Sequence, residues 1–389
     1  MLVACVHLLF AHVINPAPLL RQDVLQKMEA LTQEGTPRLL FAGDSRAECQ
    51  LVPSLFAERL GISENEVANM AVSGGDSNMT AVAVRRFRHR IADDAVIVMS
   101  VSPHHLADRQ GFDRYYSADY FWSAGLFERL KHLSIVDALK VTFIPERAFL
   151  EQLSRDLLPT PPKWEWQGRG FRPLGNDPEE TSADGYAKTV SRLKRWNCFD
   201  VGDADSFPVR KFVQDIKTLQ AMGLQVVLLD APDHPVLLDS LSGSDDGRNY
   251  VHFRRLLSRL ASELDVPLMT YRAADLLDVA SVDNAIRNTP ADRNRYEGLF
   301  VDGVHLTTHG AMRLSECVAE DLERLHAMGA IALRTGKARL AVQRPDNNSN
   351  HHLRVSVPVF VPNNLTRDSQ QLLPRSSDKQ AKHSSTAGG

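Results

Sequence analysis

Apolar positions along the chain fall into two alternating kinds of segment. The short apolar runs 39–42, 66–71, 95–101, 224–229 and 266–270 have the length and aliphatic content of strands buried on both faces. Between and after them, 45–60, 77–91, 209–222, 251–264 and 309–327 carry apolar residues at helical spacing. In 77–91, for example, Val82, Val84, Phe87 and Ile91 are available for burial. Strands and helices alternating at this interval predict βαβ units, hence a parallel sheet covered by helices. The expected fold is a three-layer α/β/α sandwich around about five parallel strands in the flavodoxin-like order 2-1-3-4-5, with function at the carboxyl edge of the sheet.

The alternation is absent from three regions, which divides the chain into 1–36, 37–106, 107–207, 208–328 and 329–389. Residues 1–14 are almost wholly apolar, and Asn15-Pro16-Ala17-Pro18 separates them from an amphipathic helix expected over 20–31. The apolar stretch is short for a membrane span and lacks a basic start, so two expectations stand. One is a membrane tether that places an extracytoplasmic enzyme near surface polysaccharide, and it is the one carried forward. The other is an apolar helix docked on a cytoplasmic enzyme. Residues 107–207 form an insertion holding all four tryptophans, Trp122, Trp164, Trp166 and Trp196, with Tyr115, Tyr116, Tyr120, Phe121 and Phe171. Its proline- and glycine-rich middle, 158–180, reads as an irregular loop. The aromatic residues suit either a lid over the site or a satellite cluster that holds the insertion down. Beyond Lys337 the composition turns polar, which predicts a disordered tail with at most one edge strand over 353–362.

Candidate chemistry begins at Leu39-Leu40-Phe41-Ala42-Gly43-Asp44-Ser45-Arg46, where a buried strand stops at a glycine and delivers a serine to a helix start. Free backbone N–H groups there favour a developing oxyanion. Ser45-Arg46-Ala47-Glu48 also fits a capping box, in which the serine only satisfies helix donors. Two further segments favour catalysis: Asn69-Met70-Ala71-Val72-Ser73-Gly74-Gly75 after the second strand, and Asp302-Gly303-Val304-His305-Leu306 before the last helix. A serine hydroxyl needs an adjacent base, and the base needs a partner that orients it. Asp302 and His305, three residues apart, can present carboxylate and imidazole together. The N–H groups of Ser45 and Gly74 are candidate oxyanion donors.

In this order the three segments resemble blocks of the SGNH (GDSL-type) hydrolases, over 37–106 and 208–327. The resemblance implies the SGNH-hydrolase type of α/β fold, with Ser45 as nucleophile, His305 as general base and Asp302 as its orienting partner. The chain departs from the family after the third strand, where Ser100-Val101-Ser102-Pro103 stands in place of a Gly-x-Asn-Asp block. Ser102 occupies the asparagine position and is the candidate third oxyanion donor. Variants lacking this block resemble the members of the superfamily that handle acyl groups on cell-surface polysaccharides, as esterases or transferases.

The expected function is therefore a serine ester hydrolase or acyltransferase acting on an O-acylated small molecule or polysaccharide through an acyl-enzyme, with no cofactor. The alternatives are a catalytically degenerate member that binds glycan or a protein partner, and a metal-dependent hydrolase. For the last, His104, His105, Asp233 and His234 should gather at the carboxyl edge with Asp44 and His305, but their spacing matches no metal signature. No metal is expected, and these residues are assigned as substrate contacts or loop-fixing groups. Lys and Arg total 45 against 48 Asp and Glu, a net charge of −3 that gives no basic field for nucleic acid. Cys5, Cys49, Cys198 and Cys317 lack CxxC spacing, so neither a zinc site nor a disulfide framework is indicated.

Overall fold

A computed structural model describes residues 22–107, 166–175, 183–195, 198–277, 296, 298–333 and 355–356. Five strands, β1 (Leu39–Ala42), β2 (Val67–Asn69), β3 (Val96–Ser100), β4 (Gln225–Asp230) and β5 (Leu268–Thr270), form a parallel sheet. Their order is β2-β1-β3-β4-β5, as expected, and a two-residue strand, β6 (Val355–Ser356), joins β5 antiparallel.

Alternation along the strands assigns the two faces. Leu39, Phe41, Val96, Val98, Val227 and Leu229 pack with α2 (Ser45–Gln50), α3 (Pro53–Leu60) and α9 (Thr308–Ala327). Leu40, Ala42, Ile97, Met99, Val226 and Leu228 pack with α1 (Gln22–Gln33), α4 (Ser77–Phe87), α6 (Phe207–Ala221) and α8 (Asp245–Glu263). Because both faces are covered, the strands read as unbroken apolar runs, which is why they were legible.

Several local expectations change. The segment 45–60 is two helices: Pro53 biases the residue before it out of the helical region, and Leu51 and Val52 are extended at φ −113° and −95°. The helix expected over 251–264 begins earlier, because Ser244 caps it by accepting the Gly247 N–H at 3.2 Å. An unexpected short helix, α7 (Pro235–Leu241), follows β4. The insertion also contains a helix not read from the sequence, α5 (Ala183–Arg195), beyond its expected irregular middle. In its 166–175 segment Arg169 is buried and donates to the carbonyls of Leu31 and Val67, while its own carbonyl accepts the Asn69 N–H at 2.8 Å. That covers the open edge of β2.

Among the described residues no helix is long and apolar enough to cross a membrane. The tether expected over 1–14, the aromatic residues Trp122, Trp164, Trp196, Tyr115, Tyr116, Tyr120 and Phe121, and nearly all of the expected tail lie outside the described residues. Of the remaining insertion aromatics, Phe171 is buried in the core and Trp166 donates its indole N–H to Glu48 at 3.1 Å, so these two hold the insertion down.

Candidate active site

Ser45 is the first residue of α2, directly after β1. The turn between them is tight: Gly43 has φ +122°, and a Cβ there would lie 2.6 Å from the Ser100 carbonyl oxygen. Asp44 supplies the helix cap, its carboxylate accepting the Arg46 N–H at 2.9 Å. The capping box is therefore not formed by Ser45, and the hydroxyl is left for another partner. That partner is His305, whose Nε2 lies 2.8 Å from Ser45 Oγ.

His305 sits in a turn closed by the antiparallel bridge between Phe300 and Leu306, both buried. Asp302 builds the interior of this turn. Its Oδ1 accepts the N–H groups of Val304 and His305, both at 2.8 Å, and its Oδ2 lies 2.9 Å from His305 Nδ1. Burial opposes ionisation of this carboxyl, but the His305 imidazole and the two backbone donors outweigh it and hold Asp302 below the usual carboxylate range. An ionised Asp302 on Nδ1 fixes the tautomer in which Nε2 can accept a proton from Ser45.

Gly74, at φ +69°, lines the pocket beside Ser45. Among the described residues no hydrogen bond engages the backbone N–H of either one. The neighbouring Gly75 is obligatory, since a Cβ there would lie 2.4 Å from the Gly43 carbonyl oxygen. Ser102 also reaches the pocket, but its hydroxyl donates to Asp44 Oδ2 at 2.7 Å, which commits its only proton. The neighbouring turn is bonded to itself: the Ser102 N–H donates to His105 Nδ1 at 2.9 Å, and His105 Nε2 lies 2.9 Å from the Gly75 carbonyl oxygen. His104 Nδ1 lies 3.5 Å from Asp44 Oδ2, and its ring stacks on His105 with centroids 4.3 Å apart. Burial raises the Asp44 carboxyl, but His104, the Arg46 guanidinium and the Ser102 bond bring it down to about 2.

Asp44, His104 and His105 place ligand atoms within 4.8 Å of one another, the geometry of a metal cluster. The donors fit an ion poorly, because both His105 nitrogens and the Asp44 oxygen nearest them already serve protein hydrogen bonds. The wider grouping with Asp233, His234 and His305 does not form among the described residues.

A pocket of about 520 Å³ opens over Ser45, Gly74 and His305. Leu193 of α5, Phe199, Leu237 of α7 and Val304 give it an apolar wall, and Arg172, Arg192, His104 and Asp233 bring charge and polarity. His105 and His234 are not among the lining residues. His234 fixes a loop: its backbone N–H donates to the Gly303 carbonyl at 3.0 Å, and its Nδ1 accepts the Val236 N–H at 3.1 Å to cap α7. Burial lowers this histidine to about 4.

Several residues around the site take roles that the sequence did not assign to them. Asn69 Nδ2 donates to the carbonyls of Ala47 at 2.8 Å and Leu51 at 2.9 Å, so it caps the carboxyl end of α2. Arg46, buried one residue after the serine, donates to the Pro232 carbonyl at 2.9 Å and pairs with Asp233 Oδ1 at 3.2 Å. Tyr250 donates to the other Asp233 oxygen. Arg192 of α5 reaches Asp302 Oδ2 at 3.4 Å, so the insertion contacts the carboxylate behind His305. The signal available in the sequence was the charge on α2: Arg46 and Glu48 flank an apolar Ala47 in a helix that had to be buried.

Ser45, His305 and Asp302 thus form a linked chain of hydrogen bonds in an open pocket, while no protein-family model matches the chain and no curated protein matches its sequence.

Proposed function

We propose that the protein is a serine hydrolase of SGNH type that cleaves or transfers O-acyl groups. The observation that carries this is the continuous relay from Ser45 Oγ to His305 Nε2 at 2.8 Å and from His305 Nδ1 to Asp302 Oδ2 at 2.9 Å. His305 takes the Ser45 proton as Oγ attacks the acyl carbon, and Asp302 stabilises the imidazolium. The carbonyl oxygen becomes an oxyanion beside the N–H groups of Ser45 and Gly74. Collapse breaks the ester bond, and His305 returns the proton to the leaving alcohol. Water, or a second alcohol in a transferase, then attacks the acyl-enzyme by the same steps in reverse.

The apolar wall suits an acyl chain, and the arginine- and histidine-bearing side suits a polar alcohol such as a sugar. Commitment of the Ser102 hydroxyl to Asp44 leaves two backbone donors for the oxyanion, which favours slow turnover and keeps a non-catalytic glycan-binding role as the second reading. A fluorophosphonate probe separates the two. The wild type should be labelled at Ser45 and the Ser45→Ala variant spared; a folded wild type that resists the probe at millimolar concentration leaves binding as the function.

A further inference from the structure

Glu48 lies one turn along α2 from Ser45 and is fully buried, yet it takes no part in capping the helix. Its Oε2 accepts the Ser73 hydroxyl at 3.0 Å, and its Oε1 accepts the Trp166 indole N–H at 3.1 Å. Lys27 of α1, only 1% exposed, places Nζ 3.6 Å from Oε1, and Arg172 places Nη2 3.5 Å from Oε2. Lys27 Nζ also donates to the Ala71 carbonyl at 2.6 Å and lies 5.0 Å from the centre of the Trp166 ring. The pair thereby grips the segment before Gly74 at two points, the Ala71 carbonyl and the Ser73 hydroxyl.

Ionic attraction gives this arrangement little net stability. Burial lowers the Lys27 ammonium to about 8 in spite of Glu48 beside it, so desolvation outweighs the attraction. An apolar pair of similar volume commonly packs as well as a buried ion pair or better. Fixed direction is what the ions add, because charge-assisted bonds hold a hydroxyl and a carbonyl in one orientation.

We propose that Lys27 and Glu48 are positioning residues for the acyl transfer reaction, clamping residues 71–73 so that the Gly74 N–H stays a fixed oxyanion donor beside Ser45. This rests on the esterase reading above. Lys27 and Glu48 touch no substrate and act through Ser73 and Gly74. Helix α1, the first described helix, is thereby a working part of the active site.

The test uses the full chain, with the labelling rate of a fluorophosphonate probe and kcat and KM for p-nitrophenyl acetate as readouts. Ser73→Ala, which removes one clamp bond from the pocket wall, should lower kcat and the labelling rate about ten-fold with KM within two-fold, whereas Ser73→Thr should retain most activity. Lys27→Met should cost more, about a hundred-fold in kcat, because Glu48 is left without its ammonium partner. Adding Glu48→Gln to Lys27→Met should recover kcat to within about ten-fold of wild type, since the amide oxygen accepts the Ser73 hydroxyl without a buried charge. A role in stability alone predicts lowered melting temperatures with unchanged kcat at 25 °C, and that result overturns the proposal. If Lys27→Met does not fold, Ser73→Ala decides: labelling at the wild-type rate refutes the clamp. A wild type that resists the probe refutes the esterase reading and the clamp with it, whereas a labelled wild type with indifferent variants refutes the clamp alone.

Discussion

Two turns at the carboxyl edge of the sheet each bring histidine and an acid together, and they do opposite things. In the 302–305 turn, Asp302 takes one imidazole nitrogen of His305 and leaves the other on the Ser45 hydroxyl in an open pocket. In the 102–105 turn, His105 spends both nitrogens on backbone groups, and the nearby Asp44 carboxylate spends itself on the Ser102 hydroxyl and the α2 cap. The first turn leaves one nitrogen facing the Ser45 hydroxyl; the second holds the turn before Ser45 in shape. An acid and a histidine in proximity are therefore not evidence of catalysis. What decides is where the second ring nitrogen points.

The largest expected effect breaks the first turn. Ser45→Ala or His305→Ala should each remove on the order of 10⁶ of kcat where turnover is measurable, and the double variant should be scarcely worse than either single one, because the two act as a unit. Asp302→Asn should cost less, roughly 10⁴, by leaving His305 in the wrong tautomer. Losses that multiply in the double variant would argue against a single relay.

A smaller effect tests the second turn. With its proton on Asp44, the Ser102 hydroxyl should be a bystander to the oxyanion, so Ser102→Ala should lower kcat by less than about ten-fold, against the 10² to 10³ typical of a lost oxyanion donor. A loss of a hundred-fold or more, with melting temperature unchanged, would show that the hydroxyl leaves Asp44 for the oxyanion during the reaction.

The smallest effect concerns His234, which belongs with the locked histidines. Its value falls from 6.5 to about 4 on folding, through burial. Between those values the unfolded chain binds more protons than the folded one, so this contribution to stability is present above pH 6.5 and lost as pH falls towards 4. His234→Asn keeps an acceptor for the Val236 N–H, and its stability relative to wild type should rise as the solution is acidified through that window. Urea midpoints compared at pH 7, 5.5 and 4.5 check this; a pH-independent difference would mean that folding leaves the protonation of His234 unchanged.

Sequence alone determined the sheet and singled out the serine, histidine and aspartate that the fold brings together. Strand runs such as Leu39–Ala42 and Val96–Ser100 are buried on both faces, so their apolar content survives any choice of neighbours, and the alternation with helices dictates parallel pairing. Asp302 and His305 were legible because their bonds lie within four residues. The break before Pro53 was missed, because helical spacing of apolar residues runs straight through 45–60. The tertiary structure alone decided the rest. It set Ser45 against His305 across 260 residues of chain, gave the Ser102 hydroxyl to Asp44, capped α2 with Asn69 and drove Lys27 against Glu48 of α2. Propensity and periodicity act over a turn or two of chain, whereas the partner of a buried polar group is set by whatever the whole fold brings beside it, and a buried charge left unpaired costs too much for that choice to be incidental.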